Sequence, residues 1–313
     1  MSAEPSLKDV LEWESHPVES SLASGPVQLR IGRAGSGGPV GVLTASVHGD
    51  EGPWGTLAIN RLLEQTRASA LKGTLRVVPV AHPLATEADA RQTHLDLLDL
   101  NNTFPGSATG THTQRLAAVL AEHALNGADV LLDVHGGGSW NINCFTYRFP
   151  GSEQLAEWMG TPLILDGIFR PTSLTGHVHA QGGIGVWIEM GGRGEFEEQR
   201  AATVTDGLRR ALGKSGVLTE SDLPDNPGIV GGQKMALCVS TPGIYRPIKR
   251  EADLASTVDE GTLIGELLDP ITSEVIEEFR APYPKTMLAL LRATLARIEA
   301  VGQVVAMVAE VNS

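Results

Sequence analysis

Three short apolar runs, each ending in a histidine or carboxylate and then glycine, constrain the fold of this 313-residue chain more than any other feature. Gly41 to Val47 leads into His48-Gly49-Asp50-Glu51-Gly52, and Ala128 to Val134 leads into His135-Gly136-Gly137-Gly138. Gly183 to Met190 carries Glu189 just before Gly191-Gly192. Runs of this length and composition read as buried strands. Between them lie stretches with helical spacing: one after Gly52, through Leu57, Ile59, Leu62 and Leu63 to about Ala68, and another from Gln114 to Leu125. A third, Phe196 to Leu212, follows the last run. Strands alternating with helices specify an α/β sheet, and ligands and catalytic groups collect at the strand ends of such sheets.

His48 and Glu51 stand three residues apart across a turn, so they can converge on one ion, and an imidazole with a carboxylate suits borderline-soft Zn²⁺. Each feature also has a plainer reading: a hydrogen-bonded histidine beside an exposed acid, or a structural acid at Glu189. A carboxylate closing an apolar strand is nevertheless costly unless it is paired or used.

The remaining segments read less sharply. Residues 1–25 look like an irregular polar lead-in, and Val27 to Ile31, Gly73 to Val80 and Pro162 to Leu165 like further strands. Ser152 to Met159 suggests a short helix, and Ser173 to Ala180 is poorly defined. Residues 81–102 form a long loop, of the kind that is functional when it is ordered. The linker Leu223-Pro224-Asp225-Asn226-Pro227-Gly228 separates residues 1–225 from a β-rich module at 226–313. Within that module, Thr286 to Ile298 has helical spacing and good helix formers, so local propensity favours a helix.

A formal charge of −13 argues against a nucleic-acid or anionic-membrane surface. No apolar run approaches the roughly 20 residues that span a bilayer, and the charged N-terminal stretch fits a cytoplasmic location. With only Cys144 and Cys238, a disulfide framework is excluded. His177 and His179 read as part of a polar loop, and His82, His94, His112 and His123 as surface or loop groups. Asp96 and Asp99 read as groups that order their loop.

Four motifs in order, HGDE at 48–51, DLNNTFPG at 99–106, DVHGG at 133–137 and IEMGG at 188–192, resemble the succinylglutamate desuccinylase and aspartoacylase family of the zinc carboxypeptidase clan. The resemblance extends to Asp259 to Gly265 and to Arg280-Ala281-Pro282. It implies a mixed central sheet flanked by helices, a small C-terminal β-rich domain, and strands rather than a helix within Thr286 to Ile298. It also implies that His48, Glu51 and His135 ligate one zinc ion per chain and that Glu189 is the catalytic carboxylate. Arg91 would stand beside the substrate carbonyl and stabilise its oxyanion, while Asn101 and the next position would contact a substrate carboxylate. That next position departs from the family, because an arginine is replaced by Asn102 and a bidentate clamp is lost. Either another cation, Arg148, Arg170 or Arg193, takes over, or the substrate carries no carboxylate there. Asp133 could orient His135, although a strand-end acid two residues away is expected to face elsewhere.

The resemblance implies hydrolysis of an amide in a small N-acyl amino acid or related amine, with homo-oligomerisation left open. A metallocarboxypeptidase or amidase acting on short peptides is the alternative enzyme. An inactive zinc-containing binding protein is the third reading, and the retained Glu189 argues against it.

Overall fold

The computed structural model describes residues 4–18, 25–51, 53–194, 197–219 and 223–312. Its centre is four parallel strands in the order Thr74–Val78, Val40–Ala45, Val130–His135 and Ile184–Gly192. Every residue of Val130–His135 is buried, as expected of a strand covered on both faces. Alternate residues divide between the two faces. Leu43, Ala45, Leu132 and Val134 pack with the helices Trp54–Gln65 and Glu197–Lys214 on one side. Val42 and Leu131 pack with His112–Leu120 and Leu174–Ala180 on the other. This is the expected α/β architecture, a mixed sheet flanked by helices. Leu132→Ala, at a fully buried position, is expected to cost about 2–5 kcal/mol in denaturant unfolding.

The sheet runs on beyond its parallel centre. Ile142–Arg148 pairs antiparallel with Ile184–Gly192, and Lys285–Leu291 then pairs with Ile142–Arg148 through Leu290 opposite Asn143 and Leu291 opposite Ile142. Strands from the C-terminal third therefore complete a thirteen-stranded sheet among the described residues, and a separate four-stranded sheet packs beside it. Within Thr286 to Ile298 the chain forms the strands Lys285–Leu291 and Ala296–Ile298. Burial explains why helix propensity loses here: Met287 and Ala289 enter one apolar cluster while Leu288 and Leu291 enter another, a division suited to a strand lying between two layers.

Several sequence readings need correction or completion, among them the long loop at 81–102, which contains the helix Pro83–Glu87. The lead-in is not irregular throughout: Leu7–Val10 is helical and Glu12–Val18 pairs antiparallel with Val27–Ala34. Fully buried Leu7 and Val18 anchor it, and residues 19–24 of the expected lead-in lie outside the described residues. Ser173 to Ala180 contains the helix Leu174–Ala180, opened by the Ser173 side chain accepting from Gly176 N–H, so His177 and His179 are helical. Ile142–Arg148 is a strand that apolar patterning did not signal, because Asn143 and Thr146 interrupt the run while being buried. No helix among the described residues is long and apolar enough to cross a membrane.

Candidate active site

The strand Val40–Ala45 stops at Ser46, which has a left-handed φ of 53°, and a short 3-10 turn over Gly49–Glu51 follows. Gly49 permits this turn, because a Cβ there would stand 2.0 Å from the Ala85 backbone. The turn brings Glu51 back toward His48, and the neighbouring strand Val130–His135 delivers His135 beside them.

Glu51 lies between the two imidazoles, with Oε1 2.5 Å from His48 Nδ1 and Oε2 3.2 Å from His135 Nδ1. One ligand atom from each residue falls within 4.8 Å of the others, and all three side chains are buried. The outer ring nitrogens are engaged elsewhere: His48 Nε2 is 3.0 Å from Asp99 Oδ1, and His135 Nε2 is 2.8 Å from Asp133 Oδ2. With Nε2–H donating to a carboxylate, each Nδ1 presents its lone pair inward, an arrangement typical of metal-ligating histidines. Asp133 is itself held by the Thr44 hydroxyl.

Burial opposes charge on these groups, yet proximity outweighs it. Burial would raise the Glu51 carboxyl, but the His48 and His135 rings hold it well below the usual carboxylate range. Burial likewise lowers the tendency of both rings to protonate, while Glu51 with Asp99 lifts His48 and Asp133 with Glu51 lifts His135 above the usual histidine value. Glu51 Oε2 is buried and makes no hydrogen bond. A buried carboxylate oxygen without a hydrogen bond, in ion-pair range of His135 Nδ1, fits a bound cation, and two nitrogens with one oxygen match the donor set of zinc sites that keep a position open.

The three groups line a cavity of about 320 Å³. Glu189, in register with His135 on the adjacent strand, lines it too. Burial pushes the Glu189 carboxyl up to about 7, against the pull of His135. Asn143 Nδ2 donates to Glu189 Oε2 at 2.8 Å, fixing one carboxylate oxygen.

Arg91 reaches the cavity wall and donates to Asp99 Oδ2 at 3.0 Å, with Glu51 Oε1 3.8 Å away. Asn101 also lines the wall, with its Oδ1 accepting from Leu174 N–H. Asn102 does not line the cavity; its Oδ1 accepts from Arg170 Nη1 at 3.2 Å. Arg170 does line it and lies 4.7 Å over the Trp187 ring. Arg148 is instead paired with Asp166 and Arg193 with Asp89, and neither lines the cavity. Of the three arginines named in the sequence analysis, Arg170 is the one that lines the cavity.

Several readings change on this geometry. Asp133 faces His135, because residues two apart on a strand share a face. Asp96 does order its loop, accepting from Thr113, and Asp99 accepts from Asn101 N–H, but Asp99 also engages His48 and Arg91. His82 and His112 are buried rather than surface groups. Asn143 carried no sequence motif; a buried asparagine within an apolar run was its one available signal.

A profile of the succinylglutamate desuccinylase/aspartoacylase catalytic domain matches residues 38–214. The N-alpha-acetyl-L-2,4-diaminobutyric acid deacetylase of Halomonas elongata is 27% identical over 306 residues, covering 94% of this chain and 88% of that protein. The crystal structure of a succinylglutamate desuccinylase from Silicibacter sp. TM1040 matches with a TM-score of 0.83 at 25% identity over 100% of both chains. The product-bound ectoine utilization protein EutE from Ruegeria pomeroyi shares the fold, with a TM-score of 0.79 at 23% identity over 95% of each chain.

Proposed function

This chain belongs to the succinylglutamate desuccinylase/aspartoacylase family, and from that premise we propose that it is a zinc-dependent hydrolase that removes the acyl group from an N-acyl amino acid or related amine. The observation carrying this reading is the convergence of His48, Glu51 and His135 in the same cavity as Glu189. Those three residues would hold one zinc ion, which when bound supplies a Lewis acid for the acyl carbonyl and lowers the pKa of water to about 7. Glu189 takes a proton from the attacking water and passes it to the leaving nitrogen as the C–N bond breaks. Asn143 keeps that carboxylate aimed by holding one of its oxygens. Arg91 places a guanidinium fork at the cavity wall, where it meets the oxyanion as charge develops. Arg170, held by Asn102 and stacked on Trp187, binds the amino-acid carboxylate, with Asn101 on the same wall.

Residues 1–225 carry the chemistry in this reading, and residues 226–313 narrow the entrance, a role supported by Leu290 on the cavity wall. A space of about 320 Å³ suits one acyl amino acid better than a peptide with flanking residues.

The test couples metal content to amine release from N-acetyl, N-succinyl and N-formyl amino acids, N-acetyl-2,4-diaminobutyrate and dipeptides. About one zinc per chain with turnover of an acyl amino acid is expected. Arg170→Met is expected to raise KM about 10–100-fold with a smaller change in kcat, as loss of a charge-assisted hydrogen bond implies. Zinc-loaded protein that cleaves dipeptides alone would overturn the deacylase reading.

A further inference from the structure

His82 and His112 are buried, at 0% and 4% exposure, and none of their four ring nitrogens has a hydrogen-bond partner. The ring centroids lie 6.2 Å apart. His82 precedes the helix Pro83–Glu87 and His112 opens the helix His112–Leu120, so the ring contact joins the two ends of the stretch that carries Arg91, Asp99 and Asn101 to the active site. Leu100 and Phe104 pin the later part of that stretch in an apolar cluster. Residues 83–99, by contrast, bury only Ala85 and Thr93.

A neutral imidazole tolerates such a place better than an imidazolium, because burial costs far more for a charge than for a dipole. The carboxylates that face the rings are already used. Asp96 accepts from the Thr113 N–H and hydroxyl, and Asp99 engages His48, Arg91 and the Asn101 N–H. His48 and His112 oppose a proton on His82, and Arg115 opposes one on His112. Burial above all holds both rings below the ordinary histidine value, His82 at about 4. We propose that His82 and His112 are positioning residues: as a neutral pair they clasp the base of residues 83–99, so holding Arg91 and Asp99 at the active site, and a proton on either ring opens the clasp. The part that Arg91 and Asp99 play in turnover rests on the deacylase reading, whereas the clasp does not. An imidazole that is ordinary when the loop is open and depressed when it is closed binds more protons in the open state. Opening therefore becomes about tenfold easier per pH unit for each ring as pH falls below about 6.5, and the effect of His82 levels off at about 4.

Hydrogen exchange of the full chain with zinc added, corrected for the intrinsic pH dependence of amide exchange, reads this opening. Protection of residues 83–99 is expected to fall about tenfold or more per unit between about pH 6.5 and 4.5, while the central strand Val130–His135 stays protected. That window lies above the range in which aspartates freed by opening take up protons, about pH 3.9. His82→Leu and His112→Leu should each lower the slope, and the double variant should remove most of it. Asparagine at the same positions serves if a leucine variant does not fold. Neither histidine is in the proposed ligand set, so metal lost in acid is common to wild type and variants, and the difference between them isolates the clasp. A flat wild-type profile, or an unchanged slope in the double variant, overturns the proposal. Equal loss of protection in Val130–His135 makes the event global unfolding and overturns it as well. Absence of turnover on every acyl substrate would strike the deacylase reading and leave the exchange result standing.

Discussion

Glu189→Gln is expected to leave the protein folded and its metal content at the wild-type level while lowering kcat on an N-acyl amino acid about 10²–10⁴-fold, the usual weight of a general base and acid. Glutamine keeps the size of the side chain and an acceptor for Asn143 Nδ2, so the loss isolates proton transfer from packing. The pH profile supplies a second signature. Burial raises the Glu189 carboxyl to about 7, so in the metal-free cavity the acid form dominates below that value and the base is lost as pH falls. A bound dication favours the carboxylate, so the acid limb of kcat/KM in the loaded enzyme is expected below pH 7, falling tenfold per pH unit. The residual activity of Glu189→Gln should lack that limb. Full turnover by this variant with zinc bound would remove Glu189 from the mechanism.

Loss of a metal ligand should be as severe. His135→Ala is expected to purify without stoichiometric zinc and without measurable turnover, because catalytic zinc sites commonly keep only three protein ligands. Asp133→Asn and Asp99→Asn should be milder, weakening zinc binding about 10–100-fold while leaving the ligands in place. Competition with a chelator measures these differences. Acid should release the metal as well. His48 and His135 both protonate more readily than an ordinary histidine, and a protonated ring cannot ligate, so zinc affinity is expected to fall as pH drops through neutrality. Stoichiometric zinc retained by His135→Ala would strike that residue from the ligand set.

Glycine-terminated apolar runs placed His48, Glu51, His135 and Glu189 at strand ends, because the alternation that buries a strand is written locally in its residues. The same local logic failed for Thr286 to Ile298, where helix formers occupy a strand held between two apolar layers, and for Ile142–Arg148, whose buried Asn143 and Thr146 mask an interior strand. The partnerships around the site were less legible, since most of them join residues far apart in the chain. Asp99 reaches His48 across 51 positions, Asn143 reaches Glu189 across 46, and Arg170 reaches Asn102 across 68. By itself the sequence determined the class of fold, the order of its central strands and helices along the chain, and the candidate ligands with the candidate catalytic carboxylate. The tertiary structure alone decided which nitrogen of each histidine faces inward, and which of the three candidate arginines lines the cavity. Periodicity records which face of an element is buried, whereas the meeting of two polar side chains depends on strand register and helix packing across the whole sheet.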